Sequence, residues 1–197
     1  MSARVDALVL LGNKFQVAIS HYDEADKYAP RDAASLLEAS KNWLVIGPRR
    51  SDHFLMAALG LKQTPMISMT AGSTKVHNLS PPFFTMYPRP EELVRTMLKA
   101  VRKENLGRTY GTMVDVTCDV CKDFALGLKK LGAGQLEEKF SFDVATDTPD
   151  LSQLIDTLTN SPVDFLFVPG MAKLTGFVIS TLQARFPKLK YLGNIIS

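Results

Sequence analysis

Two short motifs in this chain of 197 residues carry side chains that could do chemistry. The first is the pair Cys118 and Cys121, the only cysteines, followed directly by Lys122. A Cys-x-x-Cys pair at a strand-to-helix junction can cycle between dithiol and disulfide, because a helix N-terminus lowers the pKa of a thiol. The flanking residues lack the Trp and Pro that are usual in redox-active motifs of this spacing. A structural pair, free or disulfide-bonded, is therefore favoured, and a thiol oxidoreductase is kept as an alternative.

The second motif is the run Ser51, Asp52 and His53, whose residue types match a hydrolytic triad. Consecutive residues of one turn cannot adopt the relay geometry, since the base must reach the nucleophile and its own orienting acid at once. We therefore assign no catalytic residue and do not expect an enzyme. The histidines, His53 included, show no metal-ligand spacing with the cysteine pair, and no phosphate-binding glycine motif is present. The sequence thus predicts no metal and no cofactor.

Composition narrows the class of protein further. Hydrophobic residues make up 46% of the chain, enough for one core or for two small lobes that share a cleft. The 23 basic and 20 acidic side chains give a net charge of +3, too small an excess for a nucleic-acid partner. The longest apolar run near the N-terminus, Ala7 to Leu11, is far shorter than a membrane span. No secretory cleavage site follows it, so the chain as written is expected to stay in the cytoplasm.

Apolar runs of strand length alternate with amphipathic stretches of helix length, which predicts an α/β fold with parallel sheets covered by helices. The predicted strands are Phe15 to Ser20, Trp43 to Gly47, Pro65 to Met69, Tyr110 to Val114, Leu136 to Phe142, Val163 to Val168 and Tyr191 to Leu192. The predicted helices are Pro30 to Lys41, Asp52 to Leu61, Glu91 to Glu104, Asp119 to Leu131, Thr148 to Leu158 and Lys173 to Arg185.

Particular residues define the helices. The helix from Pro30 is expected to bury Ala33, Leu36, Leu37 and Ser40, and Asp150 is expected to cap the helix over 148–158. A proline-rich stretch over 80–90 separates two blocks of the alternation. We therefore expect two doubly wound lobes, a partial first lobe over 1–84 and a partial second lobe over 85–197.

Three segments of the first lobe carry a resemblance to a known family. They read WLVIGPRRS from Trp43, TPMISMTAGS from Thr64 and PFFTMYP from Pro82. In this order and spacing they are similar to type I periplasmic solute-binding proteins of ABC transporters, of the branched-chain amino acid and amide type. The second half also resembles the family, most closely in the strand that begins at Val163.

The resemblance implies a ligand site in the cleft between the lobes. Ser51, Thr70 and Ser73 would present hydroxyl and backbone N–H groups at strand carboxyl ends, ahead of helix N-termini that favour a carboxylate or amide oxygen. The same residue types also serve in turns and caps, so this alternative stays open. The candidate ligand-binding residues are Ser51, Thr70, Ala71, Gly72, Ser73 and Met171.

The chain also departs from the family pattern. Thr117 to Val120 and Met171 to Lys173 stand where amino acid binders carry aromatic residues, and a first strand and roughly the last third of the family fold are missing. Such a chain is expected to be a fragment, a decayed gene product or a protein that folds with a partner, and its exposed sheet edges leave a homodimer open.

The function expected from the resemblance is binding of an amino acid, amide or organic acid for an ABC-type transport system. The partners would be a small polar ligand and membrane components of the transporter, and the location would be periplasmic or extracellular. A cytoplasmic or degenerate scaffold that acts as a sensor or interaction domain is the second alternative, beside the thiol oxidoreductase.

Overall fold

A computed structural model describes residue 26 and residues 28–196 of the chain. The first half contains the helices α1 (Ala29–Ala39), α2 (Ser51–Ala58) and α3 (Thr74–His77), and the strands β1 (Val45–Ile46), β2 (Met66–Ser68) and β3 (Phe83–Thr85). The second half contains the helices α4 (Pro90–Lys103), α5 (Asp119–Gly132), α6 (Ser152–Asn160) and α7 (Ala172–Gln183), and the strands β4 (Thr109–Asp115), β5 (Glu137–Val144), β6 (Phe165–Met171) and β7 (Lys190–Ile196).

The strands form two separate parallel sheets. The first sheet has the order β1-β2-β3, and the second has the order β5-β4-β6-β7. We call each sheet, together with the helices that pack on it, a lobe. Each strand is followed by a helix, except at the chain's described end. The predicted α/β architecture with two parallel-sheet lobes is therefore confirmed.

Helices cover both faces of the second sheet, because successive apolar side chains of its strands point to opposite faces and each face packs against a layer of helices. Tyr110, Phe165 and Phe167 face a cluster formed with α4 and α5. Met113, Leu166 and Val168 face a cluster formed with α6 and α7. The Tyr110 and Phe165 rings stack across the strand pair with centroids 5.5 Å apart. Each large side chain buried in this way stabilises the fold by roughly 1.5–3 kcal/mol.

The first lobe packs one face of its small sheet against α1, α2 and α3. Val45, Met66 and Phe54 lie in that core. On the opposite face Ile46, Ile67 and Phe84 stand in register, and Ile46 is 72% and Phe84 51% exposed. The first lobe is thus less completely covered than the second among the described residues.

The strand predicted over Phe15 to Ser20 lies outside the described residues and stays a prediction. Most of the other predicted elements are confirmed within a few residues, with four differences. Strand β3 and helix α3 were not predicted: β3 lies among prolines that indicate a crossover, and α3 is too short to show a periodic pattern. Helix α6 begins later than expected, at Ser152, because the Oδ1 atom of Asp150 accepts hydrogen bonds from the Ser152 N–H and hydroxyl.

The fourth difference concerns the buried face of α1. Leu36 and Ser40 were expected to point inward, but Leu36 is 69% exposed and Ser40 is also exposed, whereas Ala34 is buried. Helix α1 packs closely against the turn that follows α2, since a Cβ atom at Gly60 would lie 2.2 Å from the carbonyl oxygen of Arg31.

A single carboxylate ties β4 to β6 where both strands begin. The Oδ2 atom of Asp164 accepts hydrogen bonds of 2.8 Å from the Arg108 N–H, the Thr109 N–H and the Thr109 hydroxyl. The Asp164 N–H donates in return to the Thr109 carbonyl oxygen at 3.0 Å. The backbone and side-chain hydrogen bonds from Thr109 hold the pKa of Asp164 below its ordinary value.

Replacing Asp164 by alanine is expected to lower the free energy of unfolding by about 1 kcal/mol at neutral pH, because three donors lose a charged acceptor at a solvent-accessible site. The folded-state pKa is depressed, so this stability is present above the unfolded pKa and is lost as the pH falls through the folded pKa. Urea unfolding of wild type and Asp164→Ala should therefore converge below about pH 4.

The matched control is Asp147→Ala, since Asp147 lies on an exposed loop of the same lobe. It should change the free energy of unfolding by less than about 0.5 kcal/mol. A stability difference for Asp164→Ala that stays constant down to low pH would contradict the role of the ionised carboxylate.

Candidate functional site

The loops that follow β1 and β2 are held together by the hydroxyl of Ser68. This hydroxyl donates to the carbonyl oxygen of Pro48 at 2.7 Å and accepts from the Ala71 N–H at 3.0 Å. Because Ser68 is completely buried at the end of β2, it fixes both loops at the carboxyl edge of the first sheet. Sequence reasoning quoted Ser68 in a motif but did not assign it this role.

Two predicted site residues also join these loops to each other. The Thr70 hydroxyl donates to the carbonyl oxygen of Arg49 at 3.1 Å, and the Ser51 Oγ accepts from the Ser73 N–H at 3.1 Å. The hydroxyl hydrogen of Thr70 is therefore already used in a hydrogen bond within the protein. Ser51 uses an acceptor position in this bond and keeps its own O–H for a further partner.

The second lobe contributes the loop between β4 and α5. The buried carboxylate of Asp115 orders this loop, since its Oδ1 accepts from the Thr117 N–H at 2.9 Å and the Thr117 hydroxyl at 2.7 Å. Met171, the last residue of β6, lies beside the loop and precedes the first residue of α7.

These loops line a partly open cavity of about 130 Å³ between the two lobes. Its lining residues are Arg49, Arg50, Ser51, Asp52, Thr70, Thr117, Cys118, Asp119, Val120 and Met171. Helices α2, α5 and α7 all begin at this cavity. Since a helix N-terminus presents unpaired N–H groups and a partial positive charge, the backbone around the cavity favours a negatively charged group.

The charged side chains of the cavity are paired with each other or with neighbours. Arg50 forms a salt bridge of 2.8 Å with Asp52. Burial raises the pKa of Asp52, but the hydrogen bond and charge of Arg50 outweigh it, so the net pKa is lowered.

Helix α5 also holds the first lobe directly. The Oδ2 atom of Asp123 accepts a hydrogen bond of 2.6 Å from the Thr74 N–H, the first residue of α3. Asp119 lies 3.4 Å from the Lys75 ammonium and 2.7 Å from the Lys122 ammonium. Burial raises the pKa of Asp119, but Lys122 and then Lys75 outweigh it, so this carboxyl stays ionised beside the cavity at neutral pH.

The six predicted site residues divide into two groups. Ser51, Thr70 and Met171 line the cavity. Ala71, Gly72 and Ser73 are buried behind it, because the loop turns inward after Thr70. Thr117, Cys118, Asp119 and Val120 were noted in the sequence as departures from the family pattern, yet they line the cavity from the second lobe.

The two cysteines are disulfide-bonded. Cys118 is the N-cap of α5 and lines the cavity, whereas Cys121 is completely buried in the second-lobe core. Among the described residues, no group of three or more His, Cys, Asp and Glu side chains is placed to hold a metal ion. Within that same part of the chain, every helix is too short or too polar to cross a bilayer.

Comparison with solved structures identifies the architecture. A solute-binding protein of an ABC transporter from Rhodopseudomonas palustris BisB5, in complex with 3,4-dihydroxybenzoic acid, superposes with a TM-score of 0.71 at 19% identity, over 87% of this chain and 48% of that one. The chain has the fold of the type I periplasmic solute-binding proteins. The resemblance seen in the sequence is thus confirmed at the level of the fold.

Two further binding proteins agree. The branched-chain amino acid transporter substrate-binding protein of Streptococcus pneumoniae, in complex with isoleucine, gives a TM-score of 0.72 at 14% identity, over 89% of this chain and 51% of that one. A leucine-binding protein from Thermotoga maritima gives 0.67 at 16% identity, over 86% and 49%. The chain therefore spans about half the length of these binding proteins. No protein-family model and no curated protein sequence matches it.

Gly72 supplies a test of how the site loop is packed. A Cβ atom at Gly72 would lie 2.1 Å from the Cδ1 atom of Tyr87, whose ring also packs on the second-lobe core. Gly72→Ala is therefore expected to displace Tyr87 and to lower the free energy of unfolding by about 1–3 kcal/mol, measured by urea unfolding.

Gly176 offers the matched control, because it lies inside α7 and a Cβ atom there would meet nothing within 4 Å. Gly176→Ala should raise the free energy of unfolding by about 0.5–1 kcal/mol through helix propensity. Equal effects of the two substitutions would mean that Gly72 and Tyr87 are not in close contact.

Proposed function

We propose that this chain forms the ligand-binding cleft of a solute-binding protein, and that it holds a small carboxylate between its two lobes. The observation that carries the proposal is the cavity itself: the loops after β1, β2, β4 and β6 all reach it. Ligands of open parallel α/β sheets bind outside the carboxyl ends of the strands, where these loops lie.

The polar groups of the cavity support an anionic oxygen as the part of the ligand that is recognised. Three helices begin there, the Ser51 O–H is available as a donor, and Arg49 and Arg50 lie in the wall. Because Asp52 and Asp119 balance the arginines, the helix N-termini and the Ser51 hydroxyl would hold the carboxylate.

The apolar part of the wall and the volume set the size of the rest of the ligand. Val120 and Met171 offer apolar contact. The cavity of about 130 Å³ is close to the roughly 150 Å³ cavity that accepts a benzene ring in an engineered protein. One aromatic ring or one branched aliphatic side chain fits this space. The solved structures with this fold bind benzoates, isoleucine and leucine, which are acids of that size.

Transport would follow from the same fold. We infer that the chain delivers its ligand to membrane components of an ABC-type transporter, in the periplasm or outside the cell, and that it performs no catalysis. The contacts of α5 with Thr74 and Lys75 would close the cleft over the bound ligand. The sensor and thiol oxidoreductase alternatives differ from this proposal in one measurable respect: neither requires a carboxylate ligand.

A ligand panel tests the proposal directly. The thermal unfolding of the chain would be measured with benzoate, 3,4-dihydroxybenzoate, leucine and isoleucine, and with benzyl alcohol as a ring without a carboxylate. A bound acid at about 100 times its dissociation constant should stabilise the fold by roughly 2.7 kcal/mol, and benzyl alcohol should not. A cooperatively folded chain that responds to none of the acids would favour the sensor alternative.

Ser51→Ala tests which hydroxyl holds the carboxylate. The substitution removes the available donor and is expected to weaken binding of the acid about tenfold, measured by titration calorimetry. Ser161→Ala is the control, because this exposed serine precedes β6, at the end of the strand opposite the cavity. Equal affinities of Ser51→Ala and wild type would contradict the assignment, provided that both unfold at the same temperature without ligand.

A further inference from the structure

The disulfide joins Cys118, at the wall of the cavity, to Cys121, inside the core. Cys118 is partly buried and lines the cavity, whereas Cys121 has no exposed surface and packs among the apolar side chains between α4, α5 and the second sheet. A reagent that enters the cavity can therefore reach Cys118, and Cys121 is shielded from it.

The first turn of α5, which this disulfide closes, is also the turn that forms the cavity and holds the lobes. Asp119 and Val120 line the cavity between the two cysteines. Asp119 pairs with Lys75 of the first lobe, and Asp123, in the following turn, accepts from the Thr74 N–H. A change in the bond between the cysteines thus acts where the ligand and both lobes meet.

The backbone is arranged to stabilise negative charge on one sulfur. The Cys121 N–H donates to the Cys118 Sγ at 3.3 Å, at the N-terminus of a helix of 14 residues. Such a position favours the thiolate, so reduction is expected to leave negative charge on Cys118. Burial in apolar surroundings favours the neutral thiol at Cys121.

We propose that Cys118 is a thiol–disulfide exchange site through which a dithiol reductant controls the charge of the ligand cavity. A thiolate of the reductant attacks Cys118 Sγ, the bond between the two cysteines breaks, and the Cys121 sulfur leaves with the electron pair and takes up a proton. The second thiolate of the reductant then attacks the reductant's sulfur atom in the mixed disulfide. This step closes the reductant's disulfide and releases Cys118 as a thiolate. The chain gains two electrons, and the reductant becomes a disulfide.

The consequence for ligand binding rests on the proposed function. The oxidised pair is neutral, whereas the reduced form adds a negative charge to a cavity whose wall already holds Asp52 and Asp119 as well as Arg49 and Arg50. At a separation of about 6 Å and an effective dielectric constant of about 20, one additional like charge weakens binding of a carboxylate about a hundredfold. Reduction is therefore expected to release an acidic ligand.

The exchange itself is tested without any ligand. The folded, oxidised chain would be equilibrated with dithiothreitol, then alkylated with iodoacetamide, and the labelled cysteines identified by mass spectrometry. The expected result is reduction without unfolding, with Cys118 labelled well before Cys121. A pair that stays oxidised until the chain unfolds would overturn the proposal and leave the disulfide as a structural crosslink.

The single variants sharpen this test. In Cys121→Ser the remaining Cys118 should react with iodoacetamide and with oxidised glutathione in the folded chain. In Cys118→Ser the buried Cys121 should react with neither until urea is added. Equal reactivity of the two variants, with unchanged circular dichroism, would overturn the assignment of Cys118 as the attacked sulfur.

Calorimetry with benzoate and with leucine then compares the oxidised chain, the reduced chain and the variant Cys118→Ser/Cys121→Ser. The reduced chain should bind about a hundredfold more weakly than the oxidised one, and the affinity of the double variant, which has no thiolate, should be the same with and without dithiothreitol. Equal affinities of the oxidised and reduced chains would overturn the control of the cavity. If the oxidised chain binds neither acid, the proposed function fails, and native exchange at Cys118 still supports the exchange site.

Discussion

The parallel pairing of β4 with β5 and β6 is the constraint on which the cavity depends. Parallel strands end at the same edge of a sheet, so the loop after β4 and the last residue of β6 meet above the second sheet. The same rule in the first sheet brings Ser51 and Thr70 together. A carboxylate at the opposite edge, Asp164, links the starts of β4 and β6, and the buried side chains between them keep both strands in register.

The first two turns of α5 line the cavity, contact the first lobe and pack in the second-lobe core. Cys118 and Asp119 form the cavity wall, Asp119 and Asp123 contact α3, and Cys121 and Phe124 anchor the helix in the core. The core contacts make the helix a rigid support for the charged groups at its start. The position of the first lobe is therefore coupled to the same few residues that would touch a ligand.

The sequence predicted the fold well where periodic apolar patterns decide it. Val94, Leu98 and Val101 recur at helical spacing and are buried, and the continuous apolar run over 165–168 is buried in β6. Strand β3 escaped prediction because three residues between prolines show no alternation. Leu36 was placed inward because a helix pattern identifies an apolar residue but not the neighbour that the helix will meet.

The candidate site was predictable only in part, for a physical reason. Ser51, Thr70 and Met171 reach the cavity because they end strands or begin helices, which the sequence indicates. Ala71 and Ser73 follow in the chain, but Ser68 and Ser51 bind their N–H groups and draw the loop inward. These hydrogen bonds connect residues distant in the sequence, or depend on side-chain direction, so no local pattern reports them.

The bond between Asp123 and position 74 has a consequence for how the two lobes can diverge. Its donor is a backbone N–H, which every amino acid except proline supplies, and the Thr74 side chain is not needed. Replacement of Thr74 by any residue except proline therefore leaves this hydrogen bond intact. At position 123, in contrast, few side chains place an acceptor at the right distance from the Thr74 N–H. For this hydrogen bond, only the second lobe must keep a particular side chain.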